Sequence, residues 1–310
     1  SYSVTGVQTC ALPILVLLDS LRDENEFNAE IKNNRGNIVV IHSGQLLYSS
    51  LLDAKIAGVL IRTPKLIHSV SSNQVQKSIF RATIREDLNI NSTNVKIKIK
   101  PKFIQSYKVK NIIGYVKGYS NVDTCIVLSA HYDHLGGMGN NIFFPGANDN
   151  ASGISMMLLL AKTIAANPLK YNVVFIAFAG EEIGLKGSKF YVEHPLVNLS
   201  KTKLVLNLDM VGGAKEAVTI VNGKKHHAIS TLFLKYNEIL GAGLNIKLRD
   251  VTCNSDHCPF EQSGCQSIFI YGTDPSYMHY HDINDKAEKL PFSNFFELAG
   301  LIYEVLRVIP

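Results

Sequence analysis

The chain has 310 residues, 46% of them hydrophobic and 18% charged, with a formal net charge of +5. That is apolar material for one large domain with an appendage or for two domains, and it excludes a disordered chain. The lysines are spread out except for the alternating KIKIKPK at 96–102, and no aromatic-plus-basic motif accompanies that run, so nucleic acid is not an expected partner.

Residues 1–14, SYSVTGVQTCALPI, resemble a translated sequencing-adapter string and are expected to be a non-native tail, with the native start and any signal peptide lost. The apolar run CALPILVLL lacks a basic flank, carries Pro13 and is too short to span a bilayer. No other segment approaches that length, so membrane insertion is not expected. The stretch GNIVVIHSG reads as a strand between turn residues, followed by a helix over 46–57 and the strand GVLIRT. Residues 68–94 are polar, rich in Ser and Asn, and weakly periodic. NVKIKIK then reads as a strand with one solvated face, and Pro101 marks a boundary. Residues 15–106 are thus expected to form a small β-rich accessory region.

From Tyr107 strands and helices alternate. NIIGYVKG and TCIVLSAHYD are strands, ASGISMMLLLAKTIA a helix, NVVFIAFAG a strand, GLKGSKFYVEH a helix, and TKLVLNLDMVG and AVTIVNG strands. A helix over 227–240, the strands NIKLRDV and QSIFIYG, and a closing helix over 293–308 complete the chain. Several strands are continuously apolar, as in a sheet buried on both sides. The expected class is α/β: a mixed, largely parallel sheet covered by helices on both faces, spanning 107–310. Cys253 and Cys258 are spaced to pair across a short loop, but five cysteines in a chain this large do not set a redox compartment.

In open sheets of this kind ligands gather at the carboxyl ends of the strands, and acidic motifs sit there. His131 and Asp133 lie in SAHYDHLG, Asp149 in PGANDNASG, Glu181 and Glu182 in FAGEEIGLKGS, Asp209 in LNLDMVG and His281 in YHDINDKAEKL. His131 and Asp133, two apart, face one side if the strand continues, so the aspartate could accept the imidazole N–H not used for metal. Asp149 precedes an apolar helix, where an N-cap is expected, but Asn150 and Ser152 can cap instead and free it to bridge two ions. Adjacent Glu181 and Glu182 repel unless cations or protons intervene; their side chains diverge, so one can bind metal while the other moves a proton. Two dications would be balanced by Asp149, Glu182, Asp209 and a bridging hydroxide, whereas one ion would leave the cluster negative. His279 and His281 share a face if their segment is a strand. The histidines at 42, 68, 134, 194, 226, 227 and 257 lack comparable context and read as surface or structural.

Taken in this order, the motifs over 107–310 resemble the M28 family of zinc peptidases. The resemblance implies two zinc ions per chain: His131 and Asp209 on the first, Glu182 and His281 on the second, and Asp149 bridging. It makes Glu181 the general base, Asp133 the partner of His131, and Tyr280 a group near the tetrahedral intermediate. His281 is preferred over His279 because acidic residues follow it at the family's spacing, here Asp285 and Glu288. Peptides are the implied substrates and aminopeptidase the implied activity, in a periplasmic or secreted protein of open oligomeric state. Carboxypeptidase and glutaminyl cyclase are the nearest alternatives; such cyclases lack the first histidine, so His131 speaks against that one. A non-catalytic receptor-like module is the alternative of another class, and such members usually lose ligands. GNIVVIHSG and DAKIAGVLIRT resemble part of a protease-associated domain, without the helical segment that usually precedes it. The loops 136–146 and 251–265 are expected to shape the substrate pocket.

Overall fold

The computed structural model describes residues 15–18, 23–43, 55–70, 79–91, 106–138 and 141–310. The chain divides into two units, one comprising 1–67 and 73–106, the other 68–72 and 107–310. The tail at 1–14, the strand expected at NVKIKIK and Pro101 lie outside the described residues.

In the first unit the strands β1 (Leu15–Leu17), β2 (Ile38–His42), β3 (Gly58–Thr63) and β4 (Phe80–Arg85) form a parallel sheet in that order. Helix α1 (Glu24–Asn33) starts where Asp23 accepts the Glu26 N–H at 2.9 Å, leaving one fewer bare donor in the first turn. Its Phe27 and Ile31, one turn apart, pack against Val39, Ile41, Val59 and Ile61. Strand β4 was not anticipated: Arg81, Thr83 and Arg85 break the apolar pattern of an edge strand. Of the helix expected at 46–57, residues 46–54 lie outside the described residues, and Lys55, Ile56 and Ala57 are not helical.

The second unit is built on seven strands: β5 (Ile112–Val116), β6 (Cys125–His131), β9 (Asn172–Phe178), β10 (Thr202–Leu208), β11 (Ala217–Val221), β12 (Ile246–Leu248) and β13 (Ser267–Thr273). Their order is β12-β11-β13-β10-β6-β9-β5. Only the β5–β9 and β11–β13 pairings are antiparallel. A small hairpin of β7 (Gly136–Met138) and β8 (Ile142–Phe144) follows β6. The helices are α2 (Gly153–Ala166), α3 (Lys186–Glu193), α4 (His227–Ile239), α5 (His257–Gln262) and α6 (Phe295–Val308).

Strand alternation divides the apolar side chains between two cores. Ile126, Leu128 and Ala130 of β6, with Leu204, Leu206 and Leu208 of β10, face Met156 and Leu160 of α2, Phe233 of α4 and Leu298 and Ile302 of α6. Val127, Val174, Ile176, Phe178 and Val205 face the other way, onto Tyr191 of α3 and Phe260 of α5. The sheet is therefore covered on both faces, as its unbroken apolar strands require. The parallel strands β6, β9 and β10 lie side by side, so their carboxyl ends open at one edge.

Candidate metal centre

Strand β6 ends at His131, which is almost fully buried. Its Nδ1–H donates to the Asp133 carbonyl oxygen at 3.0 Å, which leaves Nε2 facing inward, 3.3 Å from Asp149 Oδ1 and 3.4 Å from Asp209 Oδ1. The expected bond to the Asp133 carboxylate is not made; the nearer of its oxygens stands 3.9 Å away. The strand stops before Asp133, so the side chains no longer share a face. That carboxylate instead accepts the backbone N–H groups of Glu181 at 3.1 Å and Glu182 at 3.4 Å, tying down the loop after β9.

Asp149 lies in the turn ahead of α2. Asn150 Oδ1 accepts the Gly153 N–H at 3.0 Å, so Asn150 takes the capping duty and Asp149 is released from it. The Asn148 and Asp149 N–H groups donate to the buried carboxylate of Asp285 at 2.8 and 3.1 Å, which joins this turn to the final acidic motif. The turn is also fastened to the one after β10: Met210 N–H donates to Asn150 Oδ1 at 3.2 Å, Val211 to Ser152 Oγ at 3.0 Å and Gly212 to Asn148 Oδ1 at 2.9 Å.

The two oxygens of Asp149 point to opposite halves of one cluster. Oδ1 faces His131, while Oδ2 lies 3.3 Å from His281 Nε2, itself 3.2 Å from Glu182 Oε2. Two groups of donors converge within a span that one ion can fill: His131, Asp149 and Asp209, and His134, Asp149 and Glu182. Asp209 Oδ2 accepts from Ser255 Oγ at 2.8 Å, and its buried Oδ1 has no hydrogen-bond partner. An orphaned carboxylate oxygen beside the His131 imidazole and Asp149 fits a dication, because a buried unpaired charge is otherwise costly. His281 sits in a turn at φ 53°, not in a strand, and so parts from His279. Tyr280 is half exposed with its ring stacked on His281 at 3.8 Å.

The crowding of like charges sets the protonation. Burial raises Glu181, His131 opposes, and Asp209, Asp256 and Glu182 add, leaving its carboxyl at about 9. Burial alone would lower His131, but Asp209 and Asp149 against its ring raise it well above the ordinary value. His281 follows the same balance, with Asp149 and Glu182 lifting it to about 10. Burial works against ionised Glu182, yet the imidazoles of His134 and His281 hold it below the usual carboxylate range.

His134, read as surface or structural from the sequence, is partly buried with its imidazole turned into this cluster; the one available signal was its place in the same strand-end motif as His131. The described residues of loops 136–146 and 251–265 are not among those lining a cavity found beside the cluster. That cavity, of about 330 Å³, lies among Met210, Pro275, Tyr277 and Met278, with Asn148 and the carboxylates of Glu216 and Asp274 also on its wall. Loop 251–265 acts from behind: Cys253 and Cys258 form a disulfide that closes the turn carrying Ser255. His257 is wholly buried and structural, bonded to the Thr252 carbonyl at 2.8 Å.

The profile of peptidase family M28 matches residues 111–306 of the chain. The chain belongs to that family. Aminopeptidase YwaD of Bacillus subtilis (strain 168) is 30% identical over 309 residues, covering 92% of this chain. The chain spans 65% of the length of that relative. Among solved structures, BSAP, a zinc aminopeptidase from Bacillus subtilis, superposes with a TM-score of 0.66 at 23% identity, covering 95% of this chain and 74% of its own. A glutaminyl cyclase from Bacteroides thetaiotaomicron shares the fold at a TM-score of 0.56 and 22% identity, over 64% of this chain and 77% of its own.

Proposed function

We propose that the chain is a co-catalytic dinuclear zinc aminopeptidase that removes N-terminal residues from peptides. The observation that carries this reading is Asp149, whose two carboxylate oxygens face two separate donor groups, as a bridging ligand must. His131 and Asp209 would hold one ion and Glu182 and His281 the other. When bound, the pair supplies Lewis acidity toward a carbonyl oxygen and acidifies water at neutral pH.

The remaining chemistry falls to the chain. Glu181, beside the cluster and not needed as a ligand, takes a proton from the attacking water. It returns that proton to the peptide nitrogen as water oxygen bonds the carbonyl carbon and the C–N bond breaks. Burial and the surrounding carboxylates hold the Tyr280 phenol above its ordinary value, so it stays protonated and can donate to a developing oxyanion. The cavity beside Met210 and Met278 suits a large apolar side chain at the substrate's N-terminus. The parallel sheet of the first unit is read as part of a protease-associated region, and the Cys253–Cys258 disulfide supports a periplasmic or secreted setting.

The test joins metal analysis of the purified protein to a screen of aminoacyl chromogenic substrates. Two zinc ions per chain, and hydrolysis abolished by chelation, are expected. Glu181→Gln should keep both ions and lose roughly 100- to 10,000-fold in turnover. One ion per chain, or full turnover in Glu181→Gln, would sink the assignment.

A further inference from the structure

Each proposed ligand side chain on the strand ends divides its two polar atoms in one way. His131 turns Nε2 to the cluster while Nδ1 is anchored on the Asp133 carbonyl. Asp209 turns Oδ1 inward while Oδ2 is anchored on Ser255. Glu182 follows the same rule, and its anchor is a residue outside the five-ligand set: Oε2 faces His281 at 3.2 Å, and Oε1 lies 2.7 Å from His134 Nδ1. A carboxylate that binds metal is ionised and can only accept, so the proton of this 2.7 Å bond belongs to His134 Nδ1.

The surroundings are shaped around that imidazole. Its side chain is 8% exposed, and its ring meets that of His281 edge-on at a centroid distance of 5.8 Å. Gly146, at φ 67°, lies where any Cβ would run into the His134 ring, so the chain keeps this position bare and brings the loop before Asp149 against the imidazole. His134 Nδ1 is 4.0 Å from Asp149 Oδ1, beyond a hydrogen bond, which leaves Glu182 as the bonded acceptor.

We propose that His134 is a positioning residue of the second metal site: its Nδ1–H holds Glu182 Oε1, fixes that carboxylate as a one-oxygen ligand and presents Oε2 to the ion. The inference rests on the dinuclear reading above. Partners of this kind, which orient a ligand without touching the ion, typically alter metal affinity 10- to 100-fold.

The experiment is zinc titration of the metal-free full chain against a competing chelator, with cobalt substitution as a spectroscopic readout, in wild type, His134→Ala and His134→Asn. Asn keeps an N–H donor near the Nδ1 position; Ala does not. His134→Ala should weaken the second ion by roughly 10- to 100-fold, leave the first unchanged and shift the cobalt spectrum of the second site only. His134→Asn should recover most of the affinity and the wild-type spectrum. Unchanged second-site affinity in His134→Ala would overturn the proposal. So would an Asn variant as weak as Ala, since the imidazole would then be a ligand itself or a space-filler. A wild-type chain that takes up one ion would instead overturn the dinuclear reading, and this inference with it.

Discussion

Loading the metal-free protein with zinc should release protons in a number that the cluster dictates. At pH 7 His131 and His281 both carry an extra proton, being raised well above 6.5 and to about 10 respectively. Each must surrender it to present a bare nitrogen, so about two protons leave with the histidines. Glu181, at about 9, is also protonated in the metal-free site, and two neighbouring dications would discharge it, bringing the total to about three. Calorimetry at pH 7 in buffers of different ionisation enthalpy counts these protons, and Glu181→Gln should lower the count by about one. The same shifts fix the sign of a stability effect. A histidine raised by folding contributes stability that is complete below its unfolded value of 6.5 and is lost as pH climbs through the folded value, about 10 for His281. Glu181, an acid raised from 4.5 to about 9, makes no difference below its unfolded value and lowers stability progressively as pH rises from there to about 9. The metal-free protein should therefore melt at falling temperature between about pH 6.5 and 9, while the zinc-loaded protein should not. Release of fewer than about one proton per chain, or a metal-free melting temperature that rises across this window, would refute the protonation scheme.

Glu182→Gln should weaken zinc at the second site while leaving the first, as read by stoichiometry after dialysis. His281→Ala should lose metal and turnover, whereas His279→Ala, which removes a partly exposed ring 3.8 Å from Asp282, should be mild; the opposite result would move the ligand by two residues. Phe178→Ala, emptying a fully buried site between Tyr191 and Phe260, should cost about 3–5 kcal/mol in denaturant unfolding. Gly187→Ala would drive a Cβ into the Ala179 carbonyl and the Asn111 side chain that clamp the loop bearing Glu181, and should cost about 1–3 kcal/mol in the same measurement.

The sheet of the second unit was legible because its strands are unbroken apolar runs, and Asp209 sits directly where one of those runs stops, whereas the proposed set of His131, Asp149, Glu182, Asp209 and His281 came from the resemblance to the M28 peptidases. Elements that lack such a signal escaped: β4 mixes Arg and Thr into an edge strand, α5 is short and carries Pro259, and the β7–β8 hairpin is Gly-rich and largely exposed. The site was harder wherever a side chain's role depends on what crosses over from elsewhere. Asp133 looked like a partner for His131 by its spacing of two, but β6 ends first and its carboxylate turns to the next loop. His134 could not be told from an idle neighbour, because Glu182 reaches it from 48 residues away. Ser255 is invisible for the same reason: its acceptor, Asp209, is 46 residues distant in the chain.

The proposed ligands hang from the ends of β6 and β10, from the loop after β9 and from two turns, so His131 and His281 meet only when three parallel strands have paired and the last turn has closed over them. Non-local parallel pairings form slowly, because loop closure precedes any reward from contact. The proposed donors come from segments between residues 131 and 281, so zinc would have its full set only once the sheet is finished. Bound there, zinc would act as a latch and not as a seed. It would leave the folding rate to the apolar strands and slow the unfolding of the finished sheet by binding the native state alone.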